Sequence, residues 1–257
     1  MSISILTRAY RSSELKSLAI NLSTNNETEF EIIAVCNVID SELGNIKILQ
    51  EHSTRFRARI TGIKHANYDK ILLLDSDQTV EKGLLSELEG MQNDMVIIPE
   101  KSLNHNFVGA CLDDWRFRNE RLAMRKPSPQ VPVIPRFYIK QYLIQSLSNF
   151  TETIYDIVSH EDSVLYYEIY KNSRNIGFSN KHIFNEDPPF HILIRKAFLY
   201  GKFSRTPKNL PLPEEITALL NTLNKNTFDV RGLGIGKGYF VQVARALAYK
   251  FGNLLGT

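Results

Sequence analysis

The 257-residue sequence predicts an α/β domain built on a mostly parallel sheet covered by helices on both faces, and three observations carry that prediction. Apolar runs of strand length alternate with segments whose apolar residues recur at helical spacing, the pattern of successive βαβ units. One run, Ile71-Leu72-Leu73-Leu74, is apolar at every position, as in a strand buried on both faces, and leads straight into Asp75-Ser76-Asp77. The length is enough for one large core with a small extension after it.

In chain order, Ile3 to Thr7 predicts a buried strand, and Leu15, Leu18, Ala19 and Leu22 follow at i, i+3, i+4, i+7 behind Ser12-Ser13 as an N-cap. Phe30 to Val35 predicts a second strand ending in Cys36-Asn37, and Ile46 to Leu49 a short third. Phe56, Ile60 and Ile63 give one face of a helix from about Ser53 to Ala66, which leads into the acidic strand end. Helices are expected over Glu81 to Met91, Asp113 to Met124, through Leu147, and from Ser159 to about Lys171. Strands are expected over Met95 to Ile98, along Val133 to Tyr138, and over Asn175 to Phe178. Pro189 to Lys202 and Pro213 to Leu223 predict two further helices with proline near the first turn.

Composition excludes several classes of function. A net charge of +3 with 23% charged residues gives no general affinity for nucleic acid. Cys36 and Cys111 form neither a disulfide framework nor a metal-ligand spacing. Ser2 to Thr7 is only strand-length and Arg8 follows at once, so no signal peptide is read and a reducing, cytoplasmic setting is expected. The basic charge is concentrated late: from Arg195 onward ten Lys/Arg stand against Glu214, Glu215 and Asp229.

Two carboxylates spaced i, i+2 at the carboxyl end of a buried strand stand where open α/β sheets keep their sites. They suit Mg²⁺ or Mn²⁺, which takes oxygen ligands and keeps positions for water and phosphate. The same residues are also common turn formers.

With their neighbours, these segments resemble the inverting family-two glycosyltransferases of the GT-A fold, over roughly residues 3–203. Ser4-Ile5-Leu6-Thr7 stands where the first strand of that family meets the donor. Glu31 to Val35 stands where its second strand ends in an acidic nucleoside-binding pair. Arg59-Ile60-Thr61-Gly62-Ile63 is similar to its A-R-N-x-G helix, Leu73-Leu74-Asp75-Ser76-Asp77 to its D-x-D strand, and Glu161-Asp162 to its E-D pair. Ile183-Phe184-Asn185-Glu186-Asp187-Pro188 is similar to a segment usually reading x-x-H-E-D-P. The resemblance implies a GT-A domain over residues 1–205 and a C-terminal helical extension over 206–257. It implies transfer of a sugar from a nucleoside-diphosphate sugar to an acceptor hydroxyl, or to a lipid-linked phosphate or glycan, with Mn²⁺ or Mg²⁺ as cofactor.

The implied roles are specific. Asp162 would be the catalytic base, with Glu161 as second choice, although Ser159-x-x-Asp162 also fits a helix capping box. Thr7, Cys36, Asn37, Arg59, Asp75, Ser76 and Asp77 would meet the donor, and Asp77, Asp75 and Asn185 the metal. Trp115, Asp114 and Arg118 would shape the acceptor pocket. Two departures stand out: Cys36-Asn37 replaces the acidic pair, and Asn185 replaces the usual histidine.

Gly232 to Gly238 is not a phosphate loop, because Lys237 is followed by glycine and residue 231 is arginine; a hinge is expected. Beyond it Phe240, Val243, Ala244, Leu247, Phe251 and Leu254 form an apolar stripe with Arg245 and Lys250 off it. Such a helix lies on an anionic membrane surface, packs on its own domain, or meets a second subunit. Two other functions compete: a non-catalytic nucleotide-sugar binding module, motivated by Cys36, Asn37 and Asn185, and a sugar nucleotidyltransferase, which would carry a glycine-rich loop where Thr7 to Arg11 has none.

Overall fold

The first strand, β1 (Ile3–Ala9), is buried along almost its whole length, and neighbours on both sides account for it. In the computed structural model, which describes residues 2–9, 11–36, 46–157, 159–203, 211–227 and 237–255, β1 pairs in parallel with β2 (Phe30–Cys36) and with β4 (Lys70–Leu73). The outer strand β3 (Ile46–Gln50) extends the sheet beyond β2. On the other side of β4 come β8 (Phe137–Ile139), β6 (Met95–Ile97) and β9 (Ile176–Phe178), giving the order β3-β2-β1-β4-β8-β6-β9. Within this sheet only β8 runs against the rest among the described strands. Its first end, with Arg136 just before it, therefore lies beside the last residues of β4.

Alternation along the strands divides the core. Ile71 and Leu73 pack with Leu6, Ile33 and Tyr138 on one face, against α2 (Arg55–His65), α5 (Lys140–Leu147), α6 (Glu161–Asn172) and α8 (Glu214–Thr227). Leu72 and Leu74 pack with Ile3, Ile5 and Val96 on the other, against α1 (Ser12–Asn25) and α3 (Leu84–Gly90). The spaced positions are the buried ones: Leu15, Leu18 and Leu22 in α1, and Phe56, Ile60 and Ile63 in α2. Phe56 sits edge-on to Phe150 and Tyr155 at 5.5 and 5.8 Å. Phe56→Ala should cost about 3–5 kcal/mol in urea unfolding, because that aromatic cluster cannot close over the void.

The structure corrects several boundaries. The cap of α1 is Arg11 without a side-chain bond, not Ser12-Ser13, which are already helical. The helix expected from Glu81 begins at Leu84 behind a left-handed Gly83, because Gln78–Val80 forms strand β5. The helix expected at Asp113 starts earlier, as α4 (Phe107–Arg125), where Asn106 accepts from the Gly109 amide. A second sheet was not foreseen: β5 pairs with β10 (Ile183–Asn185), which pairs with β7 (Glu100–Ser102). Three-residue strands are too short to show a period of two.

After β10 come α7 (Phe190–Phe203), α8 and α9 (Lys237–Leu255); α9 lies along α7 and α4, and α8 touches α6. The expected hinge from Gly232, like Asn37, falls outside the described residues, apart from its last two positions, Lys237 and Gly238, which begin α9. No described helix is long and apolar enough to cross a membrane.

Candidate active site

Leaving the sheet after Leu73, the chain turns tightly, the Gln78 amide donating to the Asp75 carbonyl at 3.1 Å. The Asp75 amide donates in return to Gln78 Oε1 at 2.9 Å. Asp77 projects into solvent and makes no ion pair among the described residues. Partial burial, then the negative charge of Asp75, pushes its carboxyl above the usual range. Ser76 is buried and its hydroxyl donates to Glu14 Oε2 at 2.8 Å, so its side chain is committed away from the site.

Two buried arginines organise what lies opposite. Arg59, on the inner face of α2, grips Asp162 with Nε 2.7 Å from Oδ1 and Nη2 2.9 Å from Oδ2, and its Nη2 lies 3.4 Å from Asp75. Arg136 donates to Glu100 Oε1 at 2.9 Å and places other guanidinium nitrogens 4.0 Å from Asp75 and 3.9 Å from Asp162. Burial alone would raise the Asp75 carboxyl, but Arg136, Arg59 and Arg55 overcome it and hold it at about 2. Asp75 thus stays ionised at any working pH. The network continues through the small sheet: Gln78 Nε2 donates to Asn185 Oδ1 at 2.8 Å, and Asn185 Nδ2 to Glu100 Oε2 at 3.1 Å. Both ends of the Asn185 amide are therefore spent on protein partners.

The acid pair opens α6, where negative charge is favoured by the helix N-terminus. The capping box is not made. His160 is the N-cap residue, in the left-handed conformation (φ 61) without a side-chain cap, and Asp162 turns to Arg59 instead. The His160 ring reaches Asn224 at 3.1 Å, and burial lowers its pKa. Glu161 is buried 3.5 Å from Arg55. Burial, then the Asp162 charge, raises it to about 6.

That shift has a stability consequence with a definite sign. Ionised Glu161 is disfavoured in the fold, so its cost is absent below the unfolded value near 4.5 and complete above about 6. Glu161→Gln should therefore stabilise the protein at neutral to mildly alkaline pH by roughly 1–2 kcal/mol. In urea melts the gain should vanish in acid.

Beside these carboxylates lies a cleft of ≈ 330 Å³, lined among others by Trp115, Arg136, Glu161, Asp162, Tyr200 and Arg245. Trp115 lies in its wall with the Arg245 guanidinium 5.3 Å from the ring centre. Asp114 and Arg118 are not in that wall; they pair with each other along α4 at 3.2 Å. On the β1 side a smaller hollow is lined by Thr7, Arg8, Val35, Arg59 and Asp75. The Thr7 hydroxyl is buried there without a hydrogen-bond partner among the described residues. Cys36 packs in the core against Ala9, Leu15 and Ala34.

The chain fold thus gathers Thr7, Arg59, Asp75, Glu161, Asp162 and Trp115 around these two hollows, with Asp77 in the turn that follows Asp75 and Asn185 on the middle strand of the small sheet. Sequence reasoning missed Arg136, Glu100 and Gln78. Arg136 had one visible signal, a lone cation between Pro135 and the apolar Phe137-Tyr138, and the other two had none. As a cation site the arrangement fits an ion completed by its ligand and not one preformed by protein. No group of three or more His, Cys, Asp or Glu side chains stands together among the described residues. Asp75 is neutralised by arginine, whereas Asp77 has an open carboxylate, and Mg²⁺-type ions are often held by one or two carboxylates plus phosphates and water.

No family model and no curated protein matches the sequence, but solved structures match its fold. S. aureus TarS 1-349 superposes with a TM-score of 0.57 at 17% identity, covering 97% of this chain and 80% of that one. The same fragment in complex with UDP-GlcNAc gives 0.55 at 17% identity, with 89% and 73% covered. The mannosyltransferase PcManGT from Pyrobaculum calidifontis, in complex with GDP-Man and Mn²⁺, gives 0.56 at 14% identity, with 96% and 73% covered. At these identities the likeness is one of fold, and the fold is GT-A-like, shared with solved glycosyltransferases.

Proposed function

We propose that the chain is an inverting glycosyltransferase that moves a sugar from a nucleoside-diphosphate sugar to an acceptor hydroxyl with the help of Mn²⁺ or Mg²⁺. The observation that carries this reading is the convergence of Asp75 and Asp162, 87 residues apart in sequence, on the same two arginines beside an open cleft. The fold supports it, since its solved neighbours include complexes with UDP-GlcNAc and with GDP-Man and Mn²⁺.

In this reading the acceptor oxygen attacks the anomeric carbon as the bond to the diphosphate breaks. The nucleoside diphosphate leaves with that bond's electron pair, and the acceptor proton passes to Asp162. The sugar is displaced directly, so its anomeric configuration inverts and no covalent intermediate forms. Asp77 would hold the metal ion, with Asp75 behind it, and the bound ion supplies neutralisation of charge on the departing diphosphate. Arg59 has a double task. Before donor binds it holds Asp162; donor phosphates compete for its guanidinium and release the carboxylate for proton transfer. Thr7, with its unpartnered hydroxyl, is offered to the nucleoside side.

The test is transfer from a panel of UDP- and GDP-sugars to glycan, polyol and lipid-linked acceptors with Mn²⁺, with the anomeric configuration of the product read by NMR. Inverted product supports the proposal, and a retained configuration overturns its mechanism. The second reading, a donor-binding module without transfer, is favoured by the closed Asp162–Arg59 pair. It predicts nucleotide-sugar binding with no turnover of donor on any acceptor.

A further inference from the structure

Helix α9 is built the wrong way round for a helix that packs on its own domain. The side it turns toward α7 and α4 carries one apolar anchor, Val241, packed with Cys111, Leu112 and Leu193, and is otherwise small or polar: Gln242, Ala246 and Gly252 are buried there, and Arg245 reaches the cleft. The crossing with α7 is backbone against backbone. A Cβ on Gly201 would stand 2.0 Å from the Tyr249 carbonyl oxygen, and one on Gly252 2.0 Å from that of Phe198. Those two contacts set α7 and α9 antiparallel and leave no room for side chains between them.

The large apolar side chains face outward instead. Phe240, Leu247, Phe251 and Leu254, at i, i+7, i+11 and i+14, are 64, 54, 63 and 67% exposed. Leu255 and, on α7, Leu199 are exposed too. An unbroken apolar row on a surface marks contact with something apolar.

Charge decides which partner covers it. Neither α7 nor α9 contains a single acidic residue, while Arg195, Lys202 and Lys250 are exposed on them; Lys196 acts instead on Asp75 and Asp77. A second copy meeting this face about a two-fold axis would set these cations against themselves with no carboxylate on either helix to offset them. A layer of anionic lipid headgroups over an apolar interior matches both features. The described helices are not apolar enough to cross a bilayer, so α9 would lie in its plane.

We infer that α7 and α9 form a platform that docks on an anionic membrane surface, with the Phe240–Leu254 row in the headgroup region. Tyr200 and Arg245, from the same two helices, line the cleft. Docking therefore holds the cleft beside the lipid layer, within reach of an acceptor carried by it. The docking itself stands on the two helices and does not depend on the sugar-transfer reading.

The experiment is vesicle flotation of the full chain, with phosphatidylcholine alone and with phosphatidylcholine plus phosphatidylglycerol, at low and high salt. Two variants are compared with the parent, Phe251→Gln/Leu254→Gln and Arg195→Gln/Lys202→Gln/Lys250→Gln, with far-UV circular dichroism and sedimentation equilibrium on each. All substituted side chains are exposed, so the fold should survive. The parent should float with the anionic vesicles and weaken with salt. The apolar variant should bind at least about 10-fold more weakly, and the charge variant about 5-fold more weakly per cation removed. Equal flotation of parent and apolar variant overturns the inference, as does a parent that ignores anionic vesicles. A concentration-dependent dimer broken by Phe251→Gln/Leu254→Gln, in a parent that does not float, would assign the face to a second copy instead.

Discussion

Asp162→Asn is expected to lower transfer by about 10²-fold or more while donor affinity is kept or improved. The rate loss follows from removing the group that takes the acceptor proton, whose usual worth is 10²–10⁴-fold. The affinity follows from Arg59. In the parent its guanidinium is held on both Asp162 oxygens, and an amide at that position is a weaker competitor for it than donor phosphate. The fold should survive, because Asn keeps the shape and Arg59 retains Asp75 at 3.4 Å. Single-turnover transfer and nucleotide titration separate the two effects. Transfer near the parent rate would remove Asp162 as the base.

Glu161 is then the group to examine, and pH distinguishes the two. A carboxyl raised to about 6 by burial and a neighbouring charge is matched to base catalysis near neutrality. If Glu161 is the base, kcat/KM should fall along an acid limb near pH 6, and Glu161→Gln should abolish it. If Glu161 only supports the site through Arg55, Glu161→Gln should gain stability above that pH and keep most of its turnover.

What was legible in the sequence follows from physical range. Strands of five or more residues and helices with an apolar face announce themselves, so β1, β2, β3, α1 and α2 emerge near their observed limits, as does the acidic end of β4. The sheet β5-β10-β7 did not, because three residues carry no period and β10 pairs with β5 across more than a hundred residues of chain and with β7 across more than eighty. The candidate carboxylates were legible because their chemistry is local, a pair at a strand end and a pair at a helix start. Of the cations that hold them, Arg59 was legible through the family resemblance and Arg136 was not. Arg136 is set beside Asp75 only because β8 runs antiparallel to β4, a fact of tertiary topology. The capping reading of Ser159-x-x-Asp162 failed for the same reason: a local hydrogen bond lost to a bidentate ion pair with Arg59, 103 residues away.

Asp77→Asn is expected to abolish the stabilisation that Mn²⁺ and nucleoside diphosphate give together, while making the ligand-free protein slightly more stable. The two signs come from one observation. The Asp77 carboxyl is raised by partial burial and by Asp75, so its ionised form is mildly unfavourable in the fold. That cost is absent below the unfolded value near 3.8 and complete above the raised folded one. A group that only began a turn would show no such opposition between stability and binding, whereas one kept for a ligand at the expense of the fold would. Because Asp77 is the open carboxylate and the Asn185 amide is already spent on Gln78 and Glu100, the ion should bind weakly without phosphate. In thermal-shift titrations Mn²⁺ alone should move the parent's Tm little, nucleoside diphosphate alone little, and the two together strongly, by linkage. Asp77→Asn should start at an equal or higher Tm and show no joint shift. A joint shift that survives the substitution would place the metal elsewhere, and one that Mn²⁺ produces alone would mean that a protein site complete without phosphate exists.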